Sequence, residues 1–131
     1  MASQAQQQAT PFDLIGGHPA IQRIVERFYD LMDQDPAYAE LRALHAPDLS
    51  PMRRSLALFL AAWCGGPRDW FEDNPGKCMM SVHKSIPIPP AVAEQWADAM
   101  QRAIADCGPE DEKLGAEMSE LLSRMARSMG R

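Results

Sequence analysis

The 131-residue sequence has no apolar run near the ~18 residues that a membrane-spanning helix needs, so no segment is expected to cross a bilayer. Its three cysteines, Cys64, Cys78 and Cys107, are an odd number at wide spacing. They form no disulfide framework and no zinc pattern, and all three are expected as small buried hydrophobes in a reducing cytoplasm. Positive charge is scarce: 13 Lys and Arg against 18 Asp and Glu give a net charge of −5 and a pI near 5.1. An acidic surface argues against nucleic acid or an anionic membrane as the main partner. The first residues, MASQAQQQAT, lack the basic-then-apolar order of a signal peptide. Residues 1–10 are therefore expected as a disordered polar tail and residues 11–131 as one domain. No repeat, no βαβ pattern and no flavin or nicotinamide motif is present.

What remains is helical. Apolar residues make up 46% of the chain, enough for one core. Residues 11–16 read as a short turn of helix cut by Gly16-Gly17. From Pro19, the residues Ile21, Ile24, Val25, Phe28, Leu31 and Met32 recur at three- and four-residue steps, an amphipathic helix to about Asp33 with Tyr29 at the edge of its apolar face. Residues 37–44 allow two turns, with Leu41 and Leu44 inward. Ser50 and Pro51 suit an N-cap and a first helical position. Met52, Leu56, Phe59, Leu60 and Trp63 then form one stripe as far as Gly65-Gly66-Pro67, with 68–77 expected as loop. Pro89-Pro90 opens a long helix with Val92, Trp96, Met100 and Ile104 stepping by four, closed by Cys107-Gly108-Pro109. A last helix, roughly 110–128, carries Leu114, Met118, Leu121, Leu122 and Met125. The fold class is all-α, with four main helices and several short ones.

The chain is organised around Gly65 to Ile88, GGPRDWFEDNPGKCMMSVHKSIPI. Lys77 to His83 can form one or two helical turns. His83 then stands just before Pro87, Pro89 and Pro90, which fix φ and forbid helix continuation. A lone histidine is usually structural. The apolar residues before this one and the proline lock after it favour a ligand held in a fixed direction.

In their order and separations these residues resemble the truncated haemoglobins of group II. The resemblance covers about residues 11–129. It rests on Ile15-Gly16-Gly17, Phe28-Tyr29, Asp48-Leu49, Phe59-Leu60, Gly65-Gly66-Pro67, His83 followed by Pro87-Ile88, and Trp96. It implies a globin shortened to a two-over-two helical sandwich around haem b. It also implies His83 as the proximal iron ligand, and Tyr29, Trp96 and His45 as distal residues. Met52 and Leu56 fall on the distal helix, and Phe59 and Leu60 against the ring. Trp70 falls near a family aromatic that approaches a propionate. Leu41, Met79 and Ile88 complete the expected pocket. Two positions depart from the family pattern: Val82 replaces a basic residue common before the proximal histidine, and Leu56 replaces a polar one. Arg53, Lys77 and Lys84 are the candidate propionate anchors instead.

Haem iron needs a neutral imidazole along the ring normal and a shell that excludes water. Dioxygen on ferrous iron carries partial negative charge, so the Tyr29 O–H and the donor-only Trp96 N–H would slow its loss. On residue type alone, Trp96 is a core tryptophan, Tyr29 an interfacial tyrosine, His45 a corner cap and His18 structural. His45 can also donate, accept or ligate, and the thioether of Met52 can ligate iron. Three function classes stay open. One is reversible binding of dioxygen and other diatomic ligands such as NO and CO. Another is an oxidoreductase, a nitric oxide dioxygenase or a peroxidase-like enzyme, which would need an external reductase. The third is a haem-free helical interaction module. Monomer and homodimer are both open.

Overall fold

Helix α1, Pro11–Ile15, starts on a reciprocal cap. The Thr10 hydroxyl accepts from the Asp13 N–H at 3.2 Å, and the Thr10 N–H donates to the Asp13 carboxylate at 3.2 Å. Gly16 ends it at φ +107, a left-handed conformation that a side chain would strain. The Phe12 N–H donates to the Cys64 carbonyl at 2.9 Å and docks α1 on the end of a later helix. Gly66 makes that docking possible, because a Cβ there would lie 2.5 Å from the Phe12 ring. The double glycine thus serves a close approach as well as a helix stop. The coordinates are a computed structural model that describes residues 10–78, 83 and 86–130.

Helix α2, Gly17–Gln34, begins two residues earlier than Pro19 suggests. Its buried stripe is the expected one, with Tyr29 inside it at 2% exposure. A 3₁₀ turn, Pro36–Tyr38, and helix α3, Ala39–Ala43, follow. Helix α4 is Ser50–Trp63. Ser50 is its first residue and not its cap; the Asp48 carboxylate takes the Ser50 N–H at 3.0 Å. Residues 68–77 are not all loop, since α5 forms at Asp69–Asp73. Helix α6 is Pro90–Cys107 and α7 is Glu112–Met129, the latter capped by Asp111. The expected turns between Lys77 and His83 lie mostly outside the described residues.

The helices pack as two pairs, α2 with α4 and α6 with α7, and α6 also lies along α2. Helix α6 can be central because Ala93, Ala97, Ala99 and Ala103 give it a thin buried face. Against it lies Tyr38, buried at 2% exposure, whose hydroxyl donates to Asp98 at 2.6 Å. Arg102 donates to that hydroxyl at 3.0 Å and to Asp35 at 2.8 Å. This cluster clamps the 3₁₀ turn onto α6. Cys64 is buried, with its thiol pushed up to about 11 by desolvation, and Cys107 is half-buried. Cys78 is exposed, against expectation, at the end of an exposed run, residues 75–78, that follows α5.

Candidate functional site

Between the helix pairs lies a cavity of about 300 Å³. Tyr29 reaches it from α2, and Leu41, Leu44, His45 and Ala46 from α3 and the corner after it. Met52, Ser55, Leu56, Phe59 and Leu60 line it from α4, and His83, Ile86 and Ile88 from the connection before α6. Val92, Ala93 and Trp96 of α6 and Leu122, Met125, Ala126 and Met129 of α7 complete the wall. Among the described residues the wall carries no Asp, Glu, Lys or Arg.

Ring contacts fix the two donors relative to each other. Phe28 stands between them, edge-on to Tyr29 at 4.9 Å and to Trp96 at 5.1 Å. The Tyr29 ring meets His45 edge-on at 6.2 Å. Burial pushes the Tyr29 phenol well above its ordinary pKa, partly opposed by the Arg53 guanidinium 5.7 Å from its ring. The hydroxyl is therefore always a donor in the physiological range. Among the described residues neither the Tyr29 O–H nor the Trp96 N–H has a hydrogen-bond partner and neither is sealed off, and both residues line the cavity. His45 is held differently. Its Nδ1 lies 2.9 Å from the Leu41 carbonyl oxygen. Burial pulls its pKa below the usual histidine value; Arg42 and His83 add to this and the Leu41 contact opposes it. His45 is therefore neutral at pH 7.

Ten of the sequence-predicted residues meet at this cavity: His83, Tyr29, Trp96, His45, Leu41, Met52, Leu56, Phe59, Leu60 and Ile88. Three do not. Trp70 is buried behind Phe59, ring to ring at 5.4 Å, and gives its N–H to the Ser55 hydroxyl at 3.2 Å. Arg53 lies off the cavity, because its guanidinium is held by Glu26 at 2.6 Å and Asp30 at 3.1 Å, both on α2. Two carboxylates on one helix face outcompete a distant anion for it. Lys77 is exposed and away from the lining. Met79 and Lys84 lie outside the described residues. Missed from the sequence were Ser55, one residue before Leu56 and so on the edge of the same stripe, and the α7 wall. The α7 periodicity was visible but reads equally as packing against another helix.

The residues fit a large, flat, mostly apolar group with one coordination position. Met52, Leu44 and Ile86 keep 38%, 47% and 42% of their surface exposed around the cavity. Exposed apolar side chains gathered at one opening mark a surface that a ligand covers. His83 supplies an imidazole in the same wall.

The bacterial-like globin profile matches residues 10–130. This chain is a bacterial-like globin. Solved structures agree. The group II 2-on-2 haemoglobin of Agrobacterium tumefaciens is 30% identical, with a TM-score of 0.89 over 95% of this chain and 96% of that one. The group II truncated haemoglobin of Bacillus anthracis is 28% identical, with a TM-score of 0.84 over 95% and 93%. The truncated oxygen-avid haemoglobin of Bacillus subtilis is 25% identical, with a TM-score of 0.83 over 94% and 100%. The fold is that of the truncated globins, and the globin is a haem-binding protein. No described helix is long and apolar enough to cross a membrane.

Proposed function

We propose that this globin holds haem b in the apolar cavity, with His83 as the proximal iron ligand, and reversibly binds dioxygen and other small diatomic gases. The observation that carries the reading is one cavity that gathers an imidazole, two unpartnered N–H and O–H donors and otherwise mostly apolar walls. The haem supplies an iron centre to which a diatomic gas can bind. His83 offers a ring nitrogen, and the turn Ile86 N–H to His83 carbonyl, 3.0 Å, ties it to the proline corner that follows. Leu56, Phe59, Leu60 and Val92 keep water away, which strengthens every polar contact inside. The Tyr29 O–H and Trp96 N–H then donate to whatever negative charge the gas carries. A donor to a charged acceptor contributes roughly 1.5–3 kcal/mol. The oxygen-avid relative of Bacillus subtilis supports the choice of gas.

The test is uptake of haemin by the purified full-length chain, followed by its absorption spectrum and by retention on transfer to excess apomyoglobin. Wild type should show the intense absorption band of bound haem near the ultraviolet edge and hold haem. The variant His83→Ala should lose it, and His18→Ala should not. A His83→Ala chain that keeps haem with an unchanged spectrum would falsify the ligand assignment.

A further inference from the structure

Gln95 immediately precedes Trp96 on α6, yet it points to α3. Its Oε1 accepts from the Leu41 N–H at 3.1 Å, and its Nε2 donates to the Glu40 carboxylate at 3.4 Å. Helix α3 has five residues and cannot hold itself, because nearly all its N–H and C=O groups lack helical partners. Gln95 satisfies one of those N–H groups from across the fold. On the other side of the same residue, the Leu41 carbonyl accepts from the Leu44 N–H at 3.2 Å and faces His45 Nδ1 at 2.9 Å. A carbonyl cannot donate, so Nδ1 carries the proton of the neutral ring. Nε2 is then a bare lone pair.

We propose that Gln95 is a positioning residue: by fixing Leu41 against the helix of Trp96, it holds His45 in the Nδ1–H tautomer with a lone pair on the cavity side. The distal space then has two donors, Tyr29 and Trp96, and one acceptor, His45. Of the roles that its residue type leaves open, donor, acceptor or ligand, this makes His45 the acceptor. Tyr38, clamped to Asp98 and Arg102 further along α6, anchors the chain just before Glu40 and Leu41, so α6 grips this segment at consecutive points. The inference rests on the haem-pocket reading for its meaning. The tautomer itself depends only on the protein's own hydrogen bonds.

The experiment reads the ring nitrogens of His45 by long-range ¹H–¹⁵N correlation in the full-length chain, haem-loaded and ferrous with carbon monoxide, which is diamagnetic. Wild type should show a single Nδ1–H tautomer. Gln95→Leu should lose that single state and show Nε2–H as well. Gln95→Glu combined with Glu40→Gln, which keeps an acceptor for the Leu41 N–H without setting two carboxylates together, should restore it. A second readout is the C–O stretch, which falls when a donor faces the gas. It should fall in Gln95→Leu, stay when Gln95→Glu is paired with Glu40→Gln, and stay when Gln95→Leu also carries His45→Phe. A general packing role for Gln95 would move neither the tautomer nor the stretch in this pattern. An Nε2–H ring in wild type, or the same tautomer in wild type and Gln95→Leu, overturns the proposal. Gln95→Met, closer in shape, decides the question if Gln95→Leu does not fold. A chain that takes up no haemin sinks the haem reading, and the same ring nitrogens in the haem-free chain still decide the role of Gln95.

Discussion

Replacing Tyr29 by Phe removes one O–H and keeps the ring that Phe28 and Arg53 hold. The same logic applies to Trp96→Phe, whose ring contact with Phe28 partly survives. Each variant thus loses a donor with little change of shape. The lost hydrogen bond, if made to a partly negative dioxygen, contributes roughly 1.5–3 kcal/mol, so oxygen release should speed up about tenfold to a hundredfold. Compensation is limited. Leu56 has no donor, neutral His45 presents a lone pair, and the one further hydroxyl in the described lining is Ser55, which accepts from Trp70 and keeps its own O–H to donate. In each single variant the other donor can adjust, so the double variant should lose more than the sum of the two singles. Stopped-flow displacement gives dissociation rates for oxygen and carbon monoxide in all four proteins. Carbon monoxide carries far less charge on its outer atom and should respond by much less. Equal responses for the two gases would mean that Tyr29 and Trp96 act by bulk, and the donor argument would be wrong.

The clamp at Tyr38 should be visible in stability: Tyr38→Phe frees Asp98 and Arg102 to rehydrate and should cost about 1–2 kcal/mol by urea unfolding. Arg102 and the Ala37 N–H hold the Asp35 carboxyl below its ordinary range. The unfolded chain therefore takes up its proton first, and this contribution is full above about pH 4 and lost as pH falls below it. Asp35→Asn should flatten acid unfolding there, and an unchanged acid limb would refute the assignment. Gly66→Ala would set a Cβ 2.5 Å from the Phe12 ring and 2.9 Å from the Ala61 carbonyl oxygen, and should destabilise by about 1–3 kcal/mol in a thermal melt. Arg53→Leu should leave haem retention unchanged, because its guanidinium is already committed to Glu26 and Asp30; faster haem loss with a normal melt would return Arg53 to the propionate anchors.

Periodicity and chain punctuation carried most of the fold. The apolar stripe of α2, the stop at Gly65-Gly66 and the run from Pro90 to Cys107 are local signals, and they lie where the helices lie. One turn of helix at Asp69–Asp73 has no periodicity to read, and Asp48 and Ser50 are equally good cap residues, so these details were not legible. The site divides along another line. A stripe of Leu, Met and Ala on α7 says that a face is apolar but not what covers it, because a porphyrin-sized apolar group and a neighbouring helix ask for the same side chains. Only the ordered set of residues resembling a globin separated the two. Charge is worse still: Arg53 could be placed on α4 but not paired, since its partners come from a helix more than 20 residues earlier. The clearest case is His45. Whether it gives a proton or takes one is set by a carbonyl four residues before it and by a glutamine 54 residues beyond that carbonyl's residue. Donor or acceptor is thus a property of the packed α3–α6 contact and not of the histidine. A pocket's polarity pattern can accordingly change through a residue such as Gln95, which does not line the cavity at all.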